Sequence, residues 1–167
     1  MKYPSQKQSG FTLIELLVVI AIIGLLASII LASLNTARAK GRDARRLSDL
    51  HSIETAHALY ASDNNGKYPV SVGSTWSANC SQYGSYPTSG PTGYIPNLAP
   101  QYIPILPLDP NPVSTYGCYI YISNGIDYSV MAYRTVETYT PANNPRPRPV
   151  EPALPVFAFY TPGASGW

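Results

Sequence analysis

Gly10-Phe11-Thr12-Leu13-Ile14-Glu15 opens an apolar run that continues from Leu16 to Leu34 with no further charge. Those last 19 residues are enough for one membrane span at about 1.5 Å of rise per residue. One acid therefore stands at the edge of a lipid-soluble helix. A charged side chain there is unfavourable by about 2.5–3.5 kcal/mol at the bilayer centre and by less near the interface. Any leucine would remove that penalty, so Glu15 calls for a partner. A helix N-terminus or the interface would also accommodate the acid.

The run is too long for the h-region of a secretory signal peptide, about 7–15 residues, and the helical pattern continues beyond it. It is expected to stay in the mature protein. From residue 11 to residue 61 there is no proline, and helix formers dominate, with Gly24 and Gly41 as weak points of about 1 kcal/mol each. In the second half, Leu47, Leu50, Ile53, His57 and Tyr60 recur at spacings of three and four, which places them on one face. That stripe needs a cover, and the remaining chain is available to supply it. Asp63-Asn64-Asn65-Gly66-Lys67-Tyr68-Pro69 ends the helix with turn chemistry and a proline stop.

Downstream, residues 70–112 read as a Ser-, Gly-, Tyr- and Pro-rich loop, with the proline-broken stretch 102–110 running extended. Residues 116–123 and 128–135 alternate as strands around the hairpin signal Asn124-Gly125-Ile126-Asp127. A third strand is expected from 136–140 or from 156–160. From Pro141 to Pro162 the tail holds seven prolines and reads as polyproline-like or disordered apart from that possible strand. The pattern gives an α+β fold, in which one long helix, half membrane and half amphipathic, lies on a small antiparallel sheet.

The formal net charge is +2, too small to argue for nucleic acid. The basic residues Arg38, Lys40, Arg42, Arg45 and Arg46 follow the apolar run directly, as a belt against anionic head groups would. Counted against Lys2 and Lys7, they would place the C-terminal part in the cytoplasm by the positive-inside rule. Cys80 and Cys118 lie beyond the span, either as a disulfide or as two thiols, and their spacing suits no zinc site. His51 and His57 sit six residues apart on different helix faces, without a nucleophile or a ligand partner. No acid–base pair or phosphate loop is present, so no enzyme is expected. Asp109 and Asp127 are weak candidates for calcium, and otherwise no cofactor is expected.

A small basic leader, glycine before an aromatic, an acid five residues on and a retained span together resemble the processing site of type IV pilins and of the pseudopilins of type II secretion. The helix ending in D-N-N-G-K-Y-P, then Y-I-P-I-L-P-L-D-P and a Tyr-rich hairpin, extends the resemblance, whereas 70–101 and the chain after 139 have no counterpart. The resemblance implies a leader 1–10, a membrane or fibre-core helix 11–34, its amphipathic continuation 35–62, a pilin-like head 63–140 and a Pro-rich tail 141–167. It further implies cleavage after Gly10 by a prepilin peptidase, N-methylation of Phe11, and Glu15 neutralising the new amine of Phe11. The subunit would be a single-pass protein of the cytoplasmic membrane, with its head outside, before joining an extracellular or periplasmic filament. Its partners would be copies of itself or other pilins, the peptidase, the inner-membrane assembly platform and lipid. Ala32 stands where many members carry a helix-kinking proline. A pilus subunit leads; a secretion pseudopilin, or a minor pilin binding DNA or a surface through Tyr83, Tyr86 and Tyr94, is the alternative.

Overall fold

A computed structural model describes residues 10–73, 75–112 and 117–167. It divides into two compact units, residues 1–38 and 39–167. In the first, helix α1 (Leu13–Asp63) begins, and its large apolar side chains between Leu13 and Leu34, such as Ile20, Leu25 and Ile30, are exposed. The helix is long and apolar enough to cross a membrane, with none of that window buried.

The second unit begins inside α1 and contains a four-stranded antiparallel sheet. Its strands are β1 (Ser77–Ala78), β2 (Cys118–Ser123), β3 (Tyr128–Tyr133) and β4 (Phe157–Tyr160), in that spatial order. The expected hairpin is β2–β3, with Tyr121 opposite Val130. Asn124 fixes its turn, its Oδ1 accepting the N–H groups of Ile126 and Asp127. The third strand comes from the second of the two expected segments, and the proline-rich tail thus supplies β4. β1, two residues inside the expected loop, carried no periodicity long enough to read.

Alternation sorts the sheet into two faces. Tyr119, Tyr121, Tyr128, Val130, Ala132, Phe157 and Phe159 point to the core shared with Leu50, Ile53 and Ala56 of α1. Cys118, Ile120, Met131 and Ala158 face the other way, under Trp76, Leu154 and Val156. The loop contributes its own core residues, Tyr94, Ile95, Leu98 and Leu106. Cys80 and Cys118 are joined by a disulfide, two residues beyond the Ala78–Ile120 pair of the β1–β2 ladder. At the free side of β4 the Ala158 N–H donates to the Arg146 carbonyl at 2.8 Å, and Asn144 Nδ2 donates to the Val156 carbonyl. At the other end of the sheet the Tyr86 N–H donates to the Ala78 carbonyl at 2.8 Å.

Candidate functional site

Gly10, Phe11 and Thr12 precede the first helical residue and are exposed, Phe11 by 89 %. The peptide bond between Gly10 and Phe11 therefore lies in open, non-helical backbone, with nothing within 4 Å of the position a Cβ on Gly10 would take. A protease needs accessible, non-helical backbone at such a bond, and it is present here.

Thr12 and Glu15 form a reciprocal cap on α1. Glu15 Oε2 accepts the Thr12 N–H at 2.8 Å and the Thr12 hydroxyl at 2.7 Å, while the Glu15 N–H reaches Thr12 Oγ1 at 3.3 Å. This is the T-x-x-E capping box, which satisfies orphan N–H groups of the first turn. Thr12 followed three residues later by Glu15, ahead of an apolar run, is the sequence signature of this cap. In the uncut chain residue 11 carries a peptide N–H and no ammonium. A cut after Gly10 would place an ammonium one residue, about 3.8 Å of Cα spacing, from the Thr12 group that Glu15 holds.

A second charged cluster fixes the head to the helix. Arg46, wholly buried, grips Asp109 with two parallel bonds, Nε to Oδ2 and Nη2 to Oδ1, both 2.8 Å. Its Nη1 donates to Asp43 and to Glu137, again at 2.8 Å. Asp43, also wholly buried, accepts the N–H groups of Glu137 and Thr138 and the Thr138 hydroxyl. Arg42 completes the group through Nε to Glu137 at 2.7 Å. Burial works against the Arg46 guanidinium, but bonds to Asp109, Glu137 and Asp43 hold it firmly charged. The Arg42 bond, against some burial and with help from Arg46, pulls the Glu137 carboxyl down to about 2.

These contacts correct the reading of the basic stretch as a lipid belt. Arg42 and Arg46 are spent on acids of the head, and Arg45 lies 3.8 Å from Asp49. Arg38 and Lys40 are left without an ion pair among the described residues. The signal was present: 43, 46, 50, 53, 57 and 60 continue the same three–four spacing, so the buried stripe extends backwards through two charged positions. Leu50, Ile53 and His57 are fully buried, and Leu47 and Tyr60 partly so.

Asp109 has both oxygens on Arg46, and Asp127 Oδ1 accepts the Thr161 hydroxyl at 2.6 Å. The two do not meet in a ligand cluster; among the described residues no group of three or more potential metal ligands occurs. Tyr94 is fully buried, its hydroxyl donating to the Pro107 carbonyl, so it cannot form the exposed binding surface expected with Tyr83 and Tyr86. Those two are half-buried. His51 is exposed beside Glu54.

The description "Prokaryotic N-terminal methylation motif" matches residues 5–31. The chain is 42 % identical over 65 residues to the type II secretion system core protein G of Aeromonas hydrophila, covering 39 % of this chain and 45 % of that protein. The core protein G of Escherichia coli K12 is 41 % identical over 66 residues, 40 % of this chain and 45 % of the relative. The type IV wide pilus major component PilA4 of Thermus thermophilus is 43 % identical over 56 residues, 34 % of this chain and 43 % of that protein. The matched segments thus span less than half the length of these relatives. No solved structure matches. The chain carries the prepilin methylation motif and is homologous, over that part, to a secretion pseudopilin and to a type IV pilin.

Proposed function

We propose, from a chain that carries a prepilin methylation motif on a membrane-compatible helix, that it is a structural subunit of a type IV pilus-like filament. A prepilin peptidase cuts after Gly10, the new amine of Phe11 is methylated, and Glu15 exchanges its Thr12 cap for that amine, within the subunit or across to a neighbour. The single observation that carries this reading is the arrangement at the helix start: an exposed, non-helical Gly10–Phe11 bond four residues ahead of a carboxylate held by nothing but a neutral cap. In a desolvated helix bundle the ammonium and the carboxylate cancel charges that neither buries alone. Stranding one is unfavourable by about 3–5 kcal/mol. A subunit docked at the wrong axial height leaves Glu15 unpaired and is rejected.

The head faces an oxidising compartment, a reading supported by the Cys80–Cys118 disulfide. The positive-inside count opposes that orientation, and a dedicated insertion route overrides it. Lipid around the helix before assembly, the peptidase and an inner-membrane assembly platform are the partners. Catalysis and nucleic-acid binding are not part of the role, and no cofactor is assigned. Secretion pseudopilin is the second reading, favoured by the core protein G relatives.

The test is the Glu15→Ala chain expressed beside its peptidase. Mass spectrometry should still find a chain beginning with methylated Phe11, while the amount of filament falls at least tenfold. Normal filaments from Glu15→Ala, or a mature chain beginning elsewhere, refute the reading.

A further inference from the structure

The head holds a cleft of about 330 Å3 beside β1, lined by Thr75, Trp76, Gln82, Tyr83, Gly84 and Tyr86. Its three aromatic rings are half-buried, so each is fixed by packing on one side and open on another. Trp76 and Tyr83 rest on the outer core of the sheet, and Tyr86 on the inner one.

The cleft is built in advance of any ligand. The one-turn 3-10 helix Ser81–Tyr83 follows Cys80, which the disulfide ties to β2. The Cys80 carbonyl accepts the N–H groups of Tyr83 and Ser85, and Asn79 Nδ2 donates to the Tyr86 carbonyl at 2.6 Å. Gly84 adopts φ +102°, and a Cβ there would come within 2.4 Å of the Tyr86 ring. A side chain at this position would thus push the ring out of place, and glycine keeps the wall where it is.

The chemistry of the lining selects the ligand. No Asp, Glu, Lys or Arg lines the cleft. The nearby Arg148 is committed to the Trp167 carbonyl, to Glu151 and to the face of Trp76. The site is therefore neutral, which disfavours phosphates and nucleic acids. The Gln82 amide and the Thr75 hydroxyl are exposed at the cleft. They present both donors and acceptors beside the rings. An aliphatic ligand that covered these groups would leave them unpaired, and a proline-rich peptide has few N–H groups to offer the Gln82 oxygen. A sugar ring satisfies all of them, because its C–H faces pack on aromatic surfaces and its hydroxyls both donate and accept. The volume lies at the lower end of ligand pockets and suits about one or two sugar rings.

We propose that this cleft of the head binds a neutral saccharide, stacked on Tyr83 or Tyr86 beside Trp76 and hydrogen-bonded by Gln82 and Thr75. The proposal goes beyond the filament reading, and its test uses the single subunit, so either can fail without the other. The full-length chain is held in a zwitterionic detergent, since sugar-headed detergents would compete. Chitobiose and cellobiose are titrated in turn while the Trp76 indole N–H is followed by NMR. The expected result is a saturable shift of Trp76 with at least one disaccharide, half-complete on the order of 1 mM. The Gln82→Ala chain, altered at an exposed side chain, should bind about tenfold more weakly. No Trp76 shift with either sugar, an equal response in Gln82→Ala, or saturation by a polyproline peptide in their place overturns the proposal.

Discussion

Lowering the pH should unfold the head through one residue, His57. Its ring is fully buried and lies parallel to Tyr128 at 4.2 Å between centroids, with Tyr121 on it at 5.3 Å and the edge of Tyr68 at 6.0 Å. Nδ1 donates to the Ile53 carbonyl at 2.9 Å, while Nε2 has no partner among the described residues. A proton on Nε2 would be a buried charge with no acceptor among the described residues. Burial, opposed only by the Ile53 bond, therefore pulls the group from 6.5 down to about 3. A group with a depressed folded value that must stay neutral contributes stability above its unfolded value. That stability is lost as pH falls below 6.5 and levels off near 3. At about 1.36 kcal/mol per unit, the two units between 6.5 and 4.5 remove roughly 2.7 kcal/mol relative to about pH 8. This window lies above the range in which Glu137, with a folded value of about 2 against an ordinary 4.5, begins to lose its own contribution. The assay is urea unfolding of the full chain in detergent across the window, followed by Trp76 and Trp167 fluorescence. His57→Phe keeps an aromatic ring among the tyrosines and removes the titrating group, so its stability should stay nearly flat. An equal slope in His57→Phe, or no slope in the parent chain, would refute the reasoning.

Arg46→Met should destabilise the head by about 3–5 kcal/mol, because it strands the buried carboxylates of Asp43 and Asp109. Replacing Arg46, Asp43 and Asp109 together by apolar residues should recover much of that loss in the same urea titration, whereas a loss below about 1 kcal/mol for Arg46→Met alone would contradict the buried network. Thr12→Val removes the hydroxyl that caps Glu15 in the uncut chain; helix content of the precursor should fall slightly while cleavage proceeds, as circular dichroism and mass spectrometry can follow. Replacing both Cys80 and Cys118 by serine opens a loop with a sequence separation of 38. Chain entropy sets that loss at about 4 kcal/mol. A thiol reagent should label either cysteine only after reduction; labelling of the untreated chain would argue against the bridge.

The helix, the β2–β3 hairpin and the methylation motif were legible because each rests on a local signal: charge-free length, period-two alternation, or a short fixed spacing. What escaped was non-local. Arg46 read as part of a lipid-facing belt and Asp43 as nothing in particular, since the partners Asp109, Glu137 and Thr138 lie more than sixty residues away in sequence. Tyr94 looked like a surface aromatic until the loop was seen to carry core residues of its own. β1 spans only two residues, too short for periodicity, and is defined by its partner strand. In the tail, 156–160 was one of two segments expected to give a third strand, and the prolines around it exclude helix but do not exclude an edge. Phe157 and Phe159, a period-two pair in that tail, were the signal for β4.

The closed borders of the sheet have a consequence for a protein whose proposed task is to polymerise. An open strand edge would let heads join by main-chain hydrogen bonds without regard to the helices. Here the Arg146 carbonyl and the Asn144 amide occupy the free side of β4, and the Tyr86 N–H takes the outward carbonyl of Ala78. The head is thus sealed against the kind of growth that yields amyloid, and ordered addition is left to the apolar helix. Unwrapping the segment around residues 144–148 should make the head aggregate on its own.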